Sequence, residues 1–563
     1  MKLRQSNIER LDVRDYDVLI VGGGINGAVS ASSLTSRGAK VALIDRADFA
    51  GYTSQESSNL VWGGIKYLET YEFGLVRKLC VSRNRLLRAY PSNVREIRFM
   101  ASLAKGFRKS RFLVWAGSLL YWFMGSFFTR RPRLLSTKAI KAREPDIDAT
   151  RIAGGVEYSD AYLVDNDARF VFRFVREALD HGGICANYVE ATGSTFDGTM
   201  WTTTAKDLIT GRELTIRSRV VVNACGPFVD ERNARDAVTT DHTHLYSKGI
   251  HLITRRITAS AEHATAGTTG NADRRVLAFF ASDGRLFFVI PLGARSCIGT
   301  TDTRVGALPP VVTEEDRHFV LDNINALMAL EEPLTVDDII AERCGVRPLV
   351  VDKRGGGKKD DGDWTSLSRK HAIDVDSAKK HISIYGGKLT DCINVGDEVA
   401  SAVRELGVEY PYPKYRWYGE PSADVRAEFF HRAELMGLDA MTHPDSSERL
   451  STRLWRRYQG AAQRLLEDIR IDPRMGELLI EGTEYIRAEI QHTARTEMVT
   501  KLEDFLRRRS KIALVAKTEV IRSAPGLMEA CRIFFGDEAQ ARYDEYFAGL
   551  DDPGHGKRGL AIP

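Results

Sequence analysis

The spacing of apolar residues near the amino terminus predicts a buried strand, a helix and a second strand. Residues 18–21 form a short apolar run rich in β-branched side chains, which is typical of a parallel strand with both faces buried. Ala28, Ala31 and Leu34 then recur at helical spacing, so we expect them on the side of a helix that faces the sheet. Residues 40–44 form the second apolar run and complete a strand–helix–strand unit.

Between the first strand and the helix, Gly22, Gly24 and Gly27 form the pattern G-x-G-x-x-G. In dinucleotide-binding folds the first glycine allows a tight turn, the second lets the backbone approach a pyrophosphate, and the third lets helix and strand pack closely. The phosphates then bind at the helix N-terminus. Asp45 ends the second strand, where a carboxylate can accept hydrogen bonds from both ribose hydroxyls and disfavours a 2′-phosphate. The unit predicts a Rossmann-like nucleotide site, for which both NAD and FAD are candidates at this point.

Two later stretches show other patterns. Residues 113–128 carry no charge, are rich in aromatic side chains and are flanked by basic residues on both sides. The stretch is too short for a comfortable membrane span, so it predicts either a helix in a lipid headgroup region or a buried helix. Beyond residue 412, apolar residues recur at helical spacing among abundant charges. We expect a separate helical domain there, with its charges on a solvated face.

Composition limits the class of protein. A chain of 563 residues is too long for one hydrophobic core, so two or three domains are expected. Lys+Arg at 80 against Asp+Glu at 76 give no excess that would favour a nucleic-acid partner. The seven cysteines never form CxxC, which argues against metal and disulfide frameworks and for a reducing compartment. The first residues lack the apolar stretch of a secretory signal, so a cytoplasmic location is expected.

The segment after Asp45 distinguishes the two cofactors. Residues 53–78 read TSQESSNLVWGGIKYLETYEFGLVRK, a polar stretch of small residues instead of another strand and helix. This segment resembles the FAD-dependent glycerol-3-phosphate dehydrogenase and oxidase family, whose signature here reads close to GTSSRSSKLIHGGLRYLExxEFxLVRE. The matching residues are Thr53, Ser54, Ser57, Ser58, Gly63, Gly64, Tyr67, Leu68, Glu69, Glu72, Phe73, Leu75, Val76 and Arg77.

Further blocks similar to that family follow in the family's order. They lie at residues 158–160, 167–169, 222–227, 247–251, 288–291, 298–303, 344–349, 367–369 and 385–390. Residues 497–509 are similar to a motif of the family's helical C-terminal domain. The resemblance therefore runs from residue 16 to residue 390 and continues in the helical region.

The resemblance implies an α/β fold, α+β overall, with FAD as the cofactor and no metal. A Rossmann-like FAD-binding domain would comprise residues 12–90, 165–240 and 365–410. An antiparallel-sheet substrate domain would comprise residues 91–164 and 241–364, and a helical domain would comprise residues 411–563. The residues expected to bind FAD are Gly22, Gly24, Ile25, Asn26, Gly27, Asp45, Arg46, Thr53, Ser54, Ser58, Gly63, Gly64, Ala224, Gly226, Gly387, Lys388, Leu389 and Thr390.

Flavin-dependent oxidation of a phosphorylated polyol needs a group that takes the hydroxyl proton and a cationic site for the phosphate. Arginine suits the phosphate because its planar fork can bind two oxygens at once. By match to the family's motifs, Arg347 and Arg369 would bind the phosphate and His251 would act as acid or base. The implied substrate pocket comprises Lys66, Tyr67, Arg347, Arg369 and Lys388, and the implied catalytic set comprises His251, Arg347 and Lys388.

The chain departs from the family pattern beside the expected flavin and substrate. Asn59 stands where the family has lysine, Trp62 where it has histidine and Lys66 where it has arginine. Residues 391–393 read Asp-Cys-Ile where the family usually has Thr-Tyr-Arg. The departures weaken the inference about substrate more than the inference about cofactor.

The implied reaction is oxidation of sn-glycerol 3-phosphate to dihydroxyacetone phosphate. A different phosphorylated polyol and a flavin-binding sensor without turnover stay open as alternatives. An amine or amino-acid oxidase would need a carboxylate clamp, and the blocks at 298–303, 344–349 and 385–390 favour the phosphate enzyme instead.

Two electron acceptors follow from the resemblance, a membrane quinone in the dehydrogenases and oxygen in the oxidases. The sequence does not choose between them. A quinone would suit a cytoplasmic enzyme that touches the cytoplasmic face of the inner membrane through residues 113–128. A homodimer is left open.

Overall fold

The computed structural model describes residues 3–258, 274–280, 285–299, 302–353, 370–444 and 446–551. Its strands form two large sheets, and the described chain from residue 423 onward is helical. The predicted fold class, a Rossmann-like unit with a second sheet and a helical C-terminal part, is confirmed. The residue boundaries of the three domains stay a prediction.

The strands and helices have the following bounds. The strands are β1 (Asp15–Val21), β2 (Val41–Ile44), β3 (Leu60–Val61), β4 (Val94–Ala104), β5 (Arg133–Leu135), β6 (Ile152–Leu163), β7 (Ile184–Ala186), β8 (Val189–Phe196), β9 (Trp201–Asp207), β10 (Glu213–Asn223), β11 (His242–Arg255), β12 (Arg275–Phe280), β13 (Leu286–Leu292), β14 (Arg295–Gly299), β15 (Thr303–Val305), β16 (Ala341–Asp352), β17 (Ala372–Asp376) and β18 (His381–Tyr385). The α-helices are α1 (Leu3–Leu11), α2 (Ile25–Ser36), α3 (Phe73–Ala89), α4 (Arg111–Met124), α5 (Thr137–Arg143), α6 (Asp167–Asp180), α7 (Val229–Arg235), α8 (Glu314–Leu327), α9 (Cys392–Glu405), α10 (Ala423–Leu435), α11 (Leu450–Tyr458), α12 (Ala462–Ile471), α13 (Arg487–Thr496), α14 (Ile512–Val515), α15 (Thr518–Ser523), α16 (Leu527–Phe535) and α17 (Ala539–Asp551).

The first sheet is built around β1, which pairs in parallel with β10 on one side and β2 on the other. β7 extends the parallel set beside β2, and β18 extends it beside β10. α2 begins at Ile25, directly after the glycine turn. Ala28, Ala31 and Leu34 of α2 are fully buried in one core with Val18 of β1, as their spacing predicts.

The second sheet is organised by β11, which is long enough to pair with other strands along both edges. One edge pairs with β16 over residues 242–253, and the other pairs with β14 and β15. β13, β12, β4, β6 and β3 continue the sheet beyond β14. Its described pairs are antiparallel except for β4 with β12. The sheet thus presents a long two-stranded ladder, β11 with β16.

The helices α10 to α17 form two hydrophobic cores, one around Trp455 and the other around Phe505. A π-helix, Asp504–Arg509, lies between α13 and α14. Its arginines were expected on a solvated face, and that expectation is wrong. Arg508 and Arg509 are each only 1% exposed.

These buried arginines form ion pairs that connect the π-helix to the loop after β2. Nε of Arg508 and Nη1 of Arg509 lie 2.7 and 2.8 Å from Oδ2 of Asp48. Burial alone would raise the pKa of Asp48, but the charges of Arg509 and Arg508 hold it below its usual value. A second buried pair joins Nε of Arg457 on α11 to Asp165 at 3.2 Å.

α4 contains most of the uncharged stretch, and it buries one side while exposing the other to solvent. The Ser110 hydroxyl caps it by accepting a hydrogen bond from the first turn. Ser118 and Tyr121 are buried, whereas Phe112 is 57% and Phe123 is 60% exposed. Among the described helices, none is long and apolar enough to cross a bilayer.

Candidate active site

The glycine turn after β1 is packed too closely for a side chain at Gly22 or Gly27. Gly22 has a φ of +104°, which favours glycine. A Cβ atom at Gly22 would lie 2.5 Å from the carbonyl oxygen of Ala224, at the end of β10. A Cβ atom at Gly27 would collide with the carbonyl group of Gly22. The turn therefore brings β1, β10 and the start of α2 into direct contact.

Polar groups from two loops surround this turn. The backbone N–H of Ile25 donates to Oγ of Ser54 at 3.0 Å, and the N–H of Gly23 donates to Oδ2 of Asp45 at 2.6 Å. Burial raises the pKa of Asp45 to about 6. Asp45 and Ser54 thus both lie beside the N-terminus of α2, where a nucleotide would bind.

A cavity opens at this turn. Of the residues predicted to bind FAD, its lining includes Gly22, Gly24, Asp45, Arg46, Thr53, Ser54, Ala224 and Gly226. The lining also contains Tyr52, Glu190, Phe228 and Arg232, which the motifs did not single out. Within the described residues, Nη2 of Arg46, Oη of Tyr52 and Oγ1 of Thr53 are buried without a hydrogen-bond partner. Buried polar atoms are normally paired, so these groups fit a bound dinucleotide.

The turn after β18 reaches the same helix. Nδ2 of Asn26 donates to the carbonyl oxygen of Gly386 at 2.9 Å. Gly387 has a φ of +110°, and a Cβ atom there would lie 3.0 Å from Oδ1 of Asn26. Nζ of Lys388 donates to Oη of Tyr67 at 2.6 Å. The structure therefore brings Asn26 and Tyr67 to the turn at Gly387 and Lys388, more than 300 residues away in sequence.

The ladder of β11 and β16 carries the predicted acid–base and phosphate residues. His251 lies opposite Arg343, and Ser247 lies opposite Arg347. Because side chains alternate along a strand and opposite residues in an antiparallel pair share a face, these four side chains point to one face of the ladder. His251 and Arg347 thus lie on one face of the ladder, and their catalytic roles stay a prediction.

The side chain of Arg347 extends from β16 over Gly249 of β11. A Cβ atom at Gly249 would lie 2.7 Å from Cζ of Arg347, so glycine makes room for the guanidinium. On its other side, Nη1 of Arg347 lies 3.0 Å from Oδ1 of Asp302. The guanidinium of Arg347 therefore lies between the backbone of Gly249 and the carboxylate of Asp302.

His251 is buried, and among the described residues neither ring nitrogen has a hydrogen-bond partner. Burial, together with the charges of Arg347 and Arg343, lowers the pKa of His251 to about 3. The imidazole is consequently neutral at physiological pH and has one unprotonated nitrogen. Such a group can accept a proton from a bound alcohol.

Arg343 links the ladder to the segment that follows the cofactor turn. It donates to the carbonyl oxygen of Ser57 and, at 2.8 Å, to Oδ1 of Asn59. Sequence reasoning missed Arg343, although its spacing of four from Arg347 places both on one face of a strand. The contact also accounts for the departure at Asn59, because lysine there would put a second cation against Arg343.

The remaining predicted residues are placed as follows. Gly63 donates its N–H to Oδ1 of Asp160 at 3.1 Å, and Thr390 donates to the carbonyl oxygen of Trp62 at 3.2 Å. Ser58 and Leu389 are half-buried. Lys66 is exposed, and its role in the substrate pocket stays a prediction. Gly64 lies against the ring of Tyr67, and Arg369 lies outside the described residues.

Comparison with known proteins identifies the family. A family model described as FAD dependent oxidoreductase matches residues 17–362, more than half of the chain. The chain belongs to this family. A second model, described as the C-terminal domain of alpha-glycerophosphate oxidase, matches residues 423–537. FAD is therefore the cofactor, as the glycine turn and its unpaired polar neighbours indicate.

Several members are similar to this FAD dependent oxidoreductase along most of its length. Glycerol-3-phosphate dehydrogenase 2 of Mycobacterium bovis is 29% identical over 513 residues, which cover 90% of this chain and 82% of the relative. Aerobic glycerol-3-phosphate dehydrogenase of Staphylococcus aureus is 28% identical over 508 residues, which cover 88% and 86%. The solved structure of the glycerol-3-phosphate dehydrogenase from Bacillus halodurans complexed with FAD has a TM-score of 0.70 at 24% identity, covering 100% of this chain and 98% of that one. The resemblance drawn from the motifs is confirmed.

Proposed function

We propose that this FAD dependent oxidoreductase oxidises sn-glycerol 3-phosphate to dihydroxyacetone phosphate. The observation that carries the proposal is the β11–β16 ladder, which places a neutral, buried histidine beside two arginines. A phosphorylated polyol needs both, because its hydroxyl must lose a proton while its phosphate is held by cations. The relatives from M. bovis and S. aureus are named glycerol-3-phosphate dehydrogenases, which supports this substrate.

Arg347 is the residue that we assign to the substrate phosphate. Its planar fork can donate two parallel N–H bonds to two phosphate oxygens. Asp302 and the open space at Gly249 position that fork before the substrate arrives. Arg343 is engaged with Asn59 and adds positive charge to the same face of the ladder.

His251 is the residue that we assign to the hydroxyl proton. Its pKa is lowered partly by the charges of Arg347 and Arg343, so a bound phosphate dianion that neutralises those charges would make the imidazole a stronger base. Lys388, held against Tyr67, would orient the alcohol oxygen. FAD, when bound, supplies the acceptor for the hydride that leaves the substrate carbon.

An anaerobic titration of the purified enzyme tests this assignment. Glycerol 3-phosphate should bleach the visible flavin band within one turnover, whereas glycerol without phosphate should bleach it far more slowly because Arg347 has nothing to bind. Longer polyol phosphates are run in parallel. Bleaching by one of these alone would reassign the substrate, and an unresponsive flavin would identify a sensor without turnover.

We further propose that the electrons pass to a membrane quinone and that α4 makes contact with the bilayer at the cytoplasmic face of the inner membrane. The support is the exposed apolar side of this helix, where Phe112, Leu113 and Phe123 are 57%, 59% and 60% exposed. Aromatic side chains flanked by arginines and lysines suit the headgroup region of anionic membranes.

Vesicle sedimentation tests the membrane contact. The double variant Phe112→Glu/Phe123→Glu should lose binding to vesicles that contain phosphatidylglycerol and should keep its turnover with a soluble quinone analogue. Val520→Glu is the matched control, because Val520 on α15 is 57% exposed and lies outside α4. Equal losses in both variants would contradict the assignment to α4, and faster reoxidation by oxygen than by quinone would indicate an oxidase.

A further inference from the structure

A second cavity, of about 760 Å³, lies between α4 and the strands β4, β5, β6 and β12. It shares no lining residue with the cavity at the glycine turn. Six arginines line it, namely Arg98, Arg130, Arg131, Arg133, Arg143 and Arg275. A concave surface with this many guanidinium groups attracts anions.

Carboxylates balance only part of this charge. Glu157 lines the cavity, and its Oε2 lies 2.9 Å from Nη2 of Arg98 and 3.4 Å from Nη1 of Arg143. Arg275 lies between Oε1 of Glu157 at 3.6 Å and Oε1 of Glu144 at 3.2 Å. Three arginines thus share two carboxylates.

The other three arginines, Arg130, Arg131 and Arg133, have fewer carboxylates near them. Nε of Arg130 lies 3.2 Å from Glu96. Within the described part of the chain, no carboxylate lies within 4.0 Å of the side chains of Arg131 or Arg133. Burial lowers the pKa of Arg98, and the charges of Arg130 and Arg133 lower it further although Glu157 opposes them. The cavity therefore carries a surplus of positive charge.

Two buried donors in the cavity make no hydrogen bond within the described residues. Nε1 of Trp115, on α4, is buried without a hydrogen-bond partner, and Nη1 of Arg143 has the ion-pair contact with Glu157 at 3.4 Å but no hydrogen bond. A buried donor left unpaired costs stability, so its presence in a lined cavity points to an acceptor supplied from outside. An anion with several oxygen atoms would satisfy both donors and the surplus charge together.

We propose that this cavity is an anion site that binds a phosphate ester. The lining offers donors and positive charge, and its volume lies within the range of about 300 to 1,000 Å³ typical of small-molecule pockets, larger than a bare phosphate needs. None of these residues belongs to the flavin or substrate machinery, so the site goes beyond the proposed reaction.

Two sources can supply a phosphate ester, a phospholipid headgroup and a soluble metabolite. Trp115 lines the cavity from the helix whose outer side exposes Phe112 and Leu113. A lipid whose acyl chains lie along that apolar side could therefore place its phosphate in the cavity. A soluble phosphate ester would need only the cavity itself.

Calorimetry on the full-length FAD-loaded protein tests the site, with water-soluble dihexanoyl phosphatidylglycerol and inorganic pyrophosphate as probes. The variant Arg131→Gln/Arg133→Gln removes two charges without leaving a described carboxylate unpaired, so it should fold and turn over normally. Arg404→Gln/Arg464→Gln removes two exposed arginines elsewhere and is the matched control. Trp115→Phe removes the indole donor and keeps an aromatic ring.

We expect at least one probe to bind the wild type and the control, with a loss of tenfold or more in Arg131→Gln/Arg133→Gln and a smaller loss in Trp115→Phe. Binding of the lipid probe alone identifies a headgroup site, and binding of pyrophosphate alone identifies a soluble phosphate ester. No binding of either probe to the wild type, or an equal loss in the control, overturns the proposal. Because the readout is binding, these outcomes are independent of whether glycerol 3-phosphate is the substrate.

Discussion

Replacing Gly249 by alanine would move the Arg347 guanidinium with little disturbance of the strand that carries it. The new Cβ atom would lie 2.7 Å from Cζ of Arg347, inside van der Waals contact. The backbone at Gly249 is outside the left-handed region, so alanine fits its conformation. The clash is relieved most easily by rotating the flexible arginine away from Asp302.

The expected loss follows from the hydrogen bonds that the displaced fork can no longer make. A hydrogen bond to a charged group contributes about 1.5–3 kcal/mol, so loss of one of the two bonds to phosphate should lower kcat/KM by roughly 10- to 150-fold. The free energy of unfolding should change by less than about 1 kcal/mol, because alanine loses less conformational entropy than glycine on folding and the arginine side chain can move.

Steady-state turnover of glycerol 3-phosphate with a soluble acceptor measures the first quantity, and urea unfolding measures the second. Gly193→Ala is the control, because its Cβ atom would meet nothing closer than Oγ1 of Thr204 at 3.7 Å. If Gly249→Ala keeps kcat/KM within twofold while Arg347→Ala loses most of it, the Arg347 guanidinium does not lie over Gly249 and the reasoning is refuted. A large loss in Gly193→Ala would show that strand glycines matter for another reason.

Four further predictions concern the base, the pH dependence of stability, the cofactor turn and the buried ion pairs. His251→Gln should lower kcat by about 10²- to 10⁴-fold in anaerobic stopped-flow reduction while FAD stays bound. Because the pKa of His251 is lowered from 6.5 to about 3, the unfolded chain binds a proton that the folded protein does not, and stability falls as the pH drops below about 6.5. Urea unfolding of the wild type at pH 5 should therefore show a loss, relative to pH 7.5, that is greater than that of the variant by about 2 kcal/mol. Gly22→Ala should abolish the flavin absorbance of the purified protein, since alanine would collide with Ala224. Asp48→Asn should destabilise the protein by about 3–5 kcal/mol in urea, because it leaves the buried Arg508 and Arg509 without their shared carboxylate.

Matched controls separate these effects from general damage. Gly198 has a φ of +96° and open space around it, so Gly198→Ala carries the backbone strain of Gly22→Ala without the collision. Glu467→Gln breaks an exposed pair with Arg470 and should cost less than about 1 kcal/mol. Loss of flavin in Gly198→Ala, or equal destabilisation by Glu467→Gln and Asp48→Asn, would contradict the reasoning.

Features fixed by neighbours in sequence could be predicted, and the glycine turn is the clearest case. Gly22, Gly24 and Gly27 lie within six residues, and their roles follow from the strand and helix on either side. The match to the family's motifs also assigned His251 and Arg347 to one site, although the pairing of β11 with β16 became visible only in the structure.

Features that depend on distant pairing could not be predicted. Arg343 contacts Asn59 across 284 positions of sequence, so a reason for asparagine at this position is visible only once β16 and the segment before β3 lie together. Arg508 and Arg509 look like members of a charged helical surface because helical spacing alone does not show which side is covered. Asp48, about 460 residues away, supplies the carboxylate that pairs with both buried guanidinium groups.

The attachment of the π-helix to Asp48 has a consequence for how this protein can be cut or recombined. Asp48 lies three residues after Asp45, so the same loop borders the nucleotide site and forms ion pairs with the π-helix. A chain that ends before α10 would expose Asp48 and Asp165 without their arginines and would uncover the apolar surface around them. The flavin-binding portion is therefore no independent module, and a chimera that exchanges the C-terminal helices must carry the partners of these two aspartates with them.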